Sequence, residues 1–367
     1  NTITMLIIAQ ITGIIYKNIK TDLFNGKGKQ YYNIKRGIIM PNFTQLQQQL
    51  EAGIQNNINA FLASNKNPNQ NFINAQIQTI VASKTSELRH KLLQDYAQYC
   101  GRNVISYYST WLQSSNLANP NPELMINDND MNGLMNAVSA RNKVMGLDLI
   151  LHTPGGVTTA TESIVKYLRK VFNNDIRVIV PHMAMSAGTM IACASKEIYM
   201  GKQSSLGPID PQYKNVPAEG VLAEFQRAVN ETVAVPNKSL IWKEIIRNYT
   251  PTFVGECDNV VRLSKSLVDG WLRTCMFKNS RNKDAVISKI LGELASHQAS
   301  MVHDKHYDYN DCKKLGLKVY ALEKDQVMQD HILSIHHSYV LSTYKLPNSI
   351  KYIESDKGMS FLVTGNR

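Results

Sequence analysis

Between residues 147 and 201 short apolar runs alternate with amphipathic ones, and that alternation leaves few folds open. "LDLILHTP" (147–154) is a nearly continuous apolar run, as a parallel strand covered on both faces requires. "TATESIVKYLRKVF" follows, with Ile164, Val165, Leu168 and Phe172 on one helical stripe and Thr159 and Glu162 at capping-box spacing. Then come "IRVIVP" as a strand, "SAGTMIACAS" as a helix and "EIYMG" as a strand. Repetition of this kind builds βαβ units on a parallel sheet, so the fold class is α/β.

The flanks differ from this centre. Upstream, "NVISYYS" has the β-branched and aromatic content of a strand, residues 115–122 form an Asn- and Pro-rich loop, and "DMNGLMNAVSA" reads as a helix after Asp128 and Asp130. Residues 44–98 read as polar helices broken at "NKNPNQN", with Leu88, Leu92, Leu93 and Tyr96 at helical spacing. From about residue 218 the patterns predict helices over 218–232, 238–248, 258–278, 284–297 and 324–343, interrupted by one short strand, "KVYAL".

A hydrophobic fraction of 43% and a charged fraction of 19% exclude a disordered chain. The net charge of +11 is partly local: residues 1–39 carry Lys17, Lys20, Lys27, Lys29, Lys35 and Arg36 against Asp22 alone. No basic run interleaved with aromatics is present, so no nucleic-acid partner is expected. Five cysteines with no Cys-x-x-Cys fit neither a disulfide framework nor a zinc site and read as reduced thiols of a cytoplasmic protein. "MLIIAQITGIIY" (5–16) is shorter than the roughly 20 residues of a membrane span and lacks the flanks of a signal peptide, which leaves two readings, a segment buried in the protein or one adsorbed on a membrane surface as a peripheral association. The chain opens on Asn1, and Met40 is the expected natural start.

Two consecutive strand-to-helix turns carry the candidate chemistry. "HTPGG" ends in Gly155 and Gly156, whose backbone can approach a ligand closely and leave amide donors free. "MAMSAGT" places Ser186 among small residues at a helix start, with the Ala187 amide as a second donor. Each turn alone has an ordinary reading, a tight turn and an N-cap serine respectively. Together they supply the nucleophile and the two converging N–H groups of acyl transfer. His152 and His182 stand at the strand ends beside them, as substrate contacts, alternative bases or structural hydrogen-bonding groups. His303 and His306 could share one helix face but lack a carboxylate or third ligand at suitable spacing, the separation from His331 to His336 in the cluster with His337 misses the i, i+4 pattern, and no phosphate-loop or dinucleotide motif is present, so no metal and no cofactor are expected.

"LDLILHTPGG", "VPHMAMSAGTMIA" and "MGKQSSLGPIDPQ", in that order, resemble the serine dehydrogenase proteinase family of the signal peptide peptidase A clan. "GRNVISYYSTWLQ" and "LGLKVYALEKD" extend the resemblance from Gly101 to about residue 340. It implies a Clp/crotonase-like ββα spiral with an N-terminal helical segment and a helical C-terminal extension. The boundaries that follow are a leader (1–39), the helical segment (40–100), the protease domain (101–323) and a C-terminal helix and tail (324–367). The implied activity is a serine endopeptidase acting on a protein or peptide substrate, assembled as a homo-oligomer, with Ser186 as nucleophile and Gly156 and Ala187 as oxyanion donors.

Clp peptidases carry a histidine about two dozen residues after the serine, where this chain has Asp210 in "LGPIDPQ". Asp210 either orients the base or caps a turn, and Asp-Pro favours the turn. Relatives in the clan use a Ser-Lys dyad, and "DNVVRLSKSLVDGWL" resembles the helix that carries their lysine, so Lys265 is the expected base, with Lys202, Lys214 and Lys238 as alternatives. A lysine serves this way only when desolvated. Two rivals remain: a crotonase-type acyl-CoA enzyme, which uses the same two-amide hole, and a non-catalytic scaffold that keeps the fold.

Overall fold

Alternate residues of the buried strands enter opposite faces of the sheet and divide the core between two helical layers. In the computed structural model, which describes residues 42–65, 69–113, 121–139, 143–214 and 216–365, the strands are β1 (Asn103–Ser109), β2 (Leu147–His152), β3 (Ile176–Val180), β4 (Met183–Ala184), β5 (Glu197–Met200), β6 (Ser205–Leu206), β7 (Gln212–Tyr213), β8 (Val216–Pro217), β9 (Val319–Ala321), β10 (Ser349–Ser355) and β11 (Ser360–Thr364). The helices are α1 (Phe43–Ser64), α2 (Gln70–Cys100), α3 (Asp130–Val138), α4 (Thr158–Val171), α5 (Ala187–Cys193), α6 (Ala218–Ala234), α7 (Ser239–Ile246), α8 (Phe253–Thr274), α9 (Lys283–Leu294), α10 (His297–Ser300), α11 (Tyr309–Leu315) and α12 (Gln326–Lys345). The segment 1–39, the apolar run 5–16 and Met40 lie outside the described residues.

The central sheet runs β11-β10-β1-β2-β3-β5-β9, parallel from β1 through β9 and antiparallel at β10 and β11. Ile105, Tyr107, Leu149, Leu151, Val178 and Val180 join the core formed with α3, α4 and α5. Their alternates Val104, Tyr108, Ile150, Ile179 and Tyr352 join the core formed with α1, α2 and α12. Every residue of β2 is buried, as a strand covered on both faces must be. Its one charge, Asp148, is held by Tyr96, Arg102 and Arg177 at 2.5–2.8 Å. No described helix is long and apolar enough to cross a membrane.

Two expectations change here. The C-terminal residues are not a simple tail: β10 is inserted between β11 and β1 and is buried throughout. The Thr159–Glu162 capping box does not form; α4 starts without a side-chain cap, and Glu162 pairs with Lys166 one turn on.

A second, shorter ladder branches from the carboxyl ends of β2 and β3. Thr153 pairs with Ala184 of β4, β4 runs parallel to β6, and Leu206 of β6 pairs with Tyr307. This ladder sets the turn after β2 beside the turn after β3 and brings the loop 301–307 to the far side of β6.

Candidate active site

The two turns are tied by backbone hydrogen bonds, Thr153 N–H to Met183 O at 3.1 Å and Met185 N–H to Thr153 O at 3.0 Å. Gly155 then meets Ser186 directly. A side chain on Gly155, at φ 107°, would put its Cβ 2.7 Å from Ser186 Cβ and 3.1 Å from Ala187 N. Gly156 lies flat on Ile126, so a Cβ there would stand 2.3 Å from the Ile126 nitrogen and oxygen. Only glycine allows both approaches.

Ser186 occupies the N-cap position of α5 with φ 51° and ψ −114°, and its side chain makes no capping bond. Serine rarely adopts this backbone, and residues in such regions cost about 1–3 kcal/mol. The ordinary role of an N-cap serine is therefore absent, and Ser186 Oγ has no hydrogen-bond partner among the described residues. Neither the Gly156 N–H nor the Ala187 N–H has one either.

Asp210 does not cap a turn. It is buried, 1% exposed, and its two oxygens meet two histidines: His303 Nδ1 at 2.9 Å and His297 Nδ1 at 3.1 Å. Ser264 Oγ donates to the Ile209 carbonyl, which helps fix the adjoining backbone. A carboxylate that accepts from Nδ1–H selects the imidazole tautomer whose Nε2 carries a lone pair. The pairing spans 87 and 93 residues of sequence, so no spacing pattern could announce it. His303, met in the sequence only as a poor metal ligand, lies in a turn and not on a helix.

Lys265 is placed differently from the expectation. The inward stripe of α8 is Cys257, Val261, Ser264 and Val268, and Lys265 stands one position round from it. Its Nζ lies 3.1 Å from Glu219, and 37% of the side chain is exposed. The flanking Leu263 and Leu267 do not enclose it, because neighbours in sequence project from different sides of a helix. Lys202, Lys214 and Lys238 are exposed. None of the four has the apolar enclosure a lysine base needs.

His152 and His182 belong to a ring cluster with His336 of α12, with centroid separations of 5.6, 5.5 and 5.7 Å, packed against Tyr108 and Trp111. His152 is fully buried, its Nδ1 3.1 Å from the Met183 carbonyl oxygen and its Nε2 without a partner. Burial, reinforced by His336 and His182, holds His152 well below the usual histidine range. Burial, with His337 and His182, pulls His336 down to about 3. Burial and then His306 lower His182. Among the described residues no three histidine, cysteine or carboxylate side chains are set to hold a metal ion.

The cluster gives a pH prediction. Because the folded values lie below the unfolded value of about 6.5, the unfolded chain binds protons first. The stability from keeping these rings neutral is complete above pH 6.5 and drains away as pH falls toward the folded values. At pH 5 the cost is about 2 kcal/mol for His336, and His152 adds to it in the same direction. Denaturant melts at pH 7.5 and pH 5 are expected to show this loss, and His336→Leu to lessen it by roughly one histidine's share. Equal pH dependence in both proteins would remove the cluster as its source.

The ClpP-like SDH-type serine proteinases match the chain over residues 77–329. Two uncharacterised proteins of Methanocaldococcus jannaschii are similar to it. One is 33% identical over 192 residues, covering 52% of this chain and 59% of that protein. The other is 40% identical over 98 residues, covering 27% of this chain and 33% of that protein. The chain thus spans less than two thirds of either relative's length. The matched residues 77–329 contain both turns, Asp210 and the two histidines paired with it, and the chain belongs to the ClpP-like SDH-type serine proteinases.

Proposed function

We propose that the chain is a serine endopeptidase in which Ser186 forms an acyl-enzyme and a histidine held by Asp210 serves as general base. The observation that carries this reading is Ser186 itself: a serine kept in an unfavourable backbone conformation, with a hydroxyl that supports no structure, pressed against a glycine turn. Strain of this kind persists where the surroundings over-determine it, and such places cluster at active sites.

Of the two histidines, His303 is the base. The Nε2 of His297 would lie 3.7 Å from a Cβ on Gly220, so that ring is packed on α6, and the His297 backbone N–H is bound to Glu219. His303 is anchored to Asp210 through Nδ1 on the loop that borders the short ladder. In the reaction, the Ser186 hydroxyl proton passes to His303 Nε2 as Oγ bonds to the peptide carbonyl carbon. The oxyanion is held by the Gly156 and Ala187 N–H groups. The tetrahedral intermediate collapses, the C–N bond breaks, and the imidazolium returns its proton to the leaving amine. Water then repeats the sequence on the ester. The free hydroxyl in this structure closes on its base when substrate is bound, as catalytic hydrogen bonds commonly do.

A biotinylated fluorophosphonate tests the nucleophile. It is expected to label the protein at Ser186, located by tandem mass spectrometry, and to abolish casein cleavage in proportion to labelling. No labelling at Ser186, together with turnover of acyl-CoA thioesters, would favour the crotonase-type enzyme instead.

A further inference from the structure

Beneath the Gly155–Gly156 turn lies an ion pair that the reaction does not use. Lys351 of β10 and Asp130, the first residue of α3, are both wholly buried, with Nζ 2.6 Å from Oδ1. The second Asp130 oxygen accepts from the Tyr107 hydroxyl at 2.7 Å and from the Asn127 N–H at 3.0 Å. Lys351 Nζ also donates to the Met125 carbonyl at 2.7 Å. The pair therefore grips the chain on both sides of Ile126. Ile126 in turn is the residue that holds the glycine turn: its N–H donates to Gly155 O at 2.7 Å, and its carbonyl accepts from Val157 N–H at 2.9 Å.

A buried ion pair is weak evidence of stabilisation, since apolar replacements of the same volume are often as good or better. What an apolar pair could not do here is fix two backbone groups, Met125 O and Asn127 N–H, at set positions. We infer that Lys351 and Asp130 are positioning residues, which hold the 125–127 segment in register and through it the amide of Gly156 that is proposed to receive the oxyanion. The inference rests on the proposed reaction for its catalytic consequence, but the mechanical link to the turn is independent of it.

The test is the double variant Asp130→Asn/Lys351→Met, which leaves no unpaired charge behind, beside Tyr107→Phe, which removes the hydroxyl that faces Asp130 and Thr153 and no charge. Hydrogen exchange read by mass spectrometry is expected to be at least about tenfold faster in peptides covering 124–127 and 155–158, with peptides covering 147–152 and 176–180 unchanged. Peptide kcat is expected to fall about 10- to 100-fold with KM within threefold, because an oxyanion donor acts in the transition state. The same direction on a smaller scale is expected for Tyr107→Phe. Wild-type exchange at 155–158 in either folded variant, or uniform acceleration across the sheet, overturns the proposal. A wild-type protein that neither cleaves peptide nor labels at Ser186 fails the functional reading instead, and exchange at 155–158 still decides the link.

Discussion

Ser186→Ala is expected to reduce peptide turnover by about 10⁶-fold, the scale of losing the nucleophile in a cooperating triad, with the melting temperature unchanged. The two halves of this expectation come from separate observations. The catalytic half follows from the position of Ser186 beside the glycine turn. The stability half follows from the absence of a capping bond: there is no N-cap hydrogen bond to lose, so the usual penalty of about 1 kcal/mol does not apply. Alanine also keeps the strained φ of 51°. Ser186→Gly relieves it, and is expected to be equally inactive but more stable by about 1 kcal/mol, the strain released less the flexibility glycine adds to the unfolded chain. Calorimetry and casein cleavage on the three proteins read both halves. Full activity in Ser186→Ala would end the nucleophile assignment. A loss of stability in both variants would return Ser186 to a structural role.

The sequence makes the centre of the fold legible because its strands obey a simple rule. "LDLILH" and "IRVIV" are covered on both faces, and apolar runs interrupted only by Asp148 and Arg177 announce them. β10 breaks that rule. "SIKYIES" is just as buried, yet it carries Lys351 and Glu354, each neutralised by a partner far away in sequence, Asp130 and Arg89 respectively. An apolar-run criterion cannot see a strand whose burial depends on remote charges. The candidate site divides along the same line. Gly155, Gly156 and Ser186 are placed by local backbone, and local sequence marks them. Asp210 stands in a visible motif, but its partners, His297 of α10 and His303 of the loop after it, lie 87 and 93 residues on, and only the fold brings them together. Lys265 shows the reverse error. Its leucine neighbours suggest an apolar site, but the helix turns it outward to Glu219.

Asp210→Asn is expected to lower kcat by about 10⁴-fold while the protein stays folded. Asparagine keeps the volume and can still hydrogen-bond both rings, but it removes the buried negative charge. With a neutral amide in place, nothing favours Nδ1–H on His303 over the other tautomer, and nothing compensates the imidazolium as it forms. His303→Asn is expected to fall to the same level, and combining it with Asp210→Asn to cost little more, because residues that act as one unit are not additive. His297→Asn is expected to lose no more than about tenfold, since that ring is packed on α6 and shares Asp210 only as a second donor. Lys265→Ala breaks a half-exposed ion pair and is expected to leave turnover within threefold. Single-turnover acylation by a peptide ester, followed in all five proteins, separates these cases from changes in substrate affinity. If Lys265→Ala loses acylation while Asp210→Asn and His303→Asn keep it, the proton goes to the lysine, and the buried carboxylate with its two histidines is a brace between the loop 301–307 and the short ladder. If His297→Asn and His303→Asn exchange places, the carboxylate keeps its role and the base is the ring on α10.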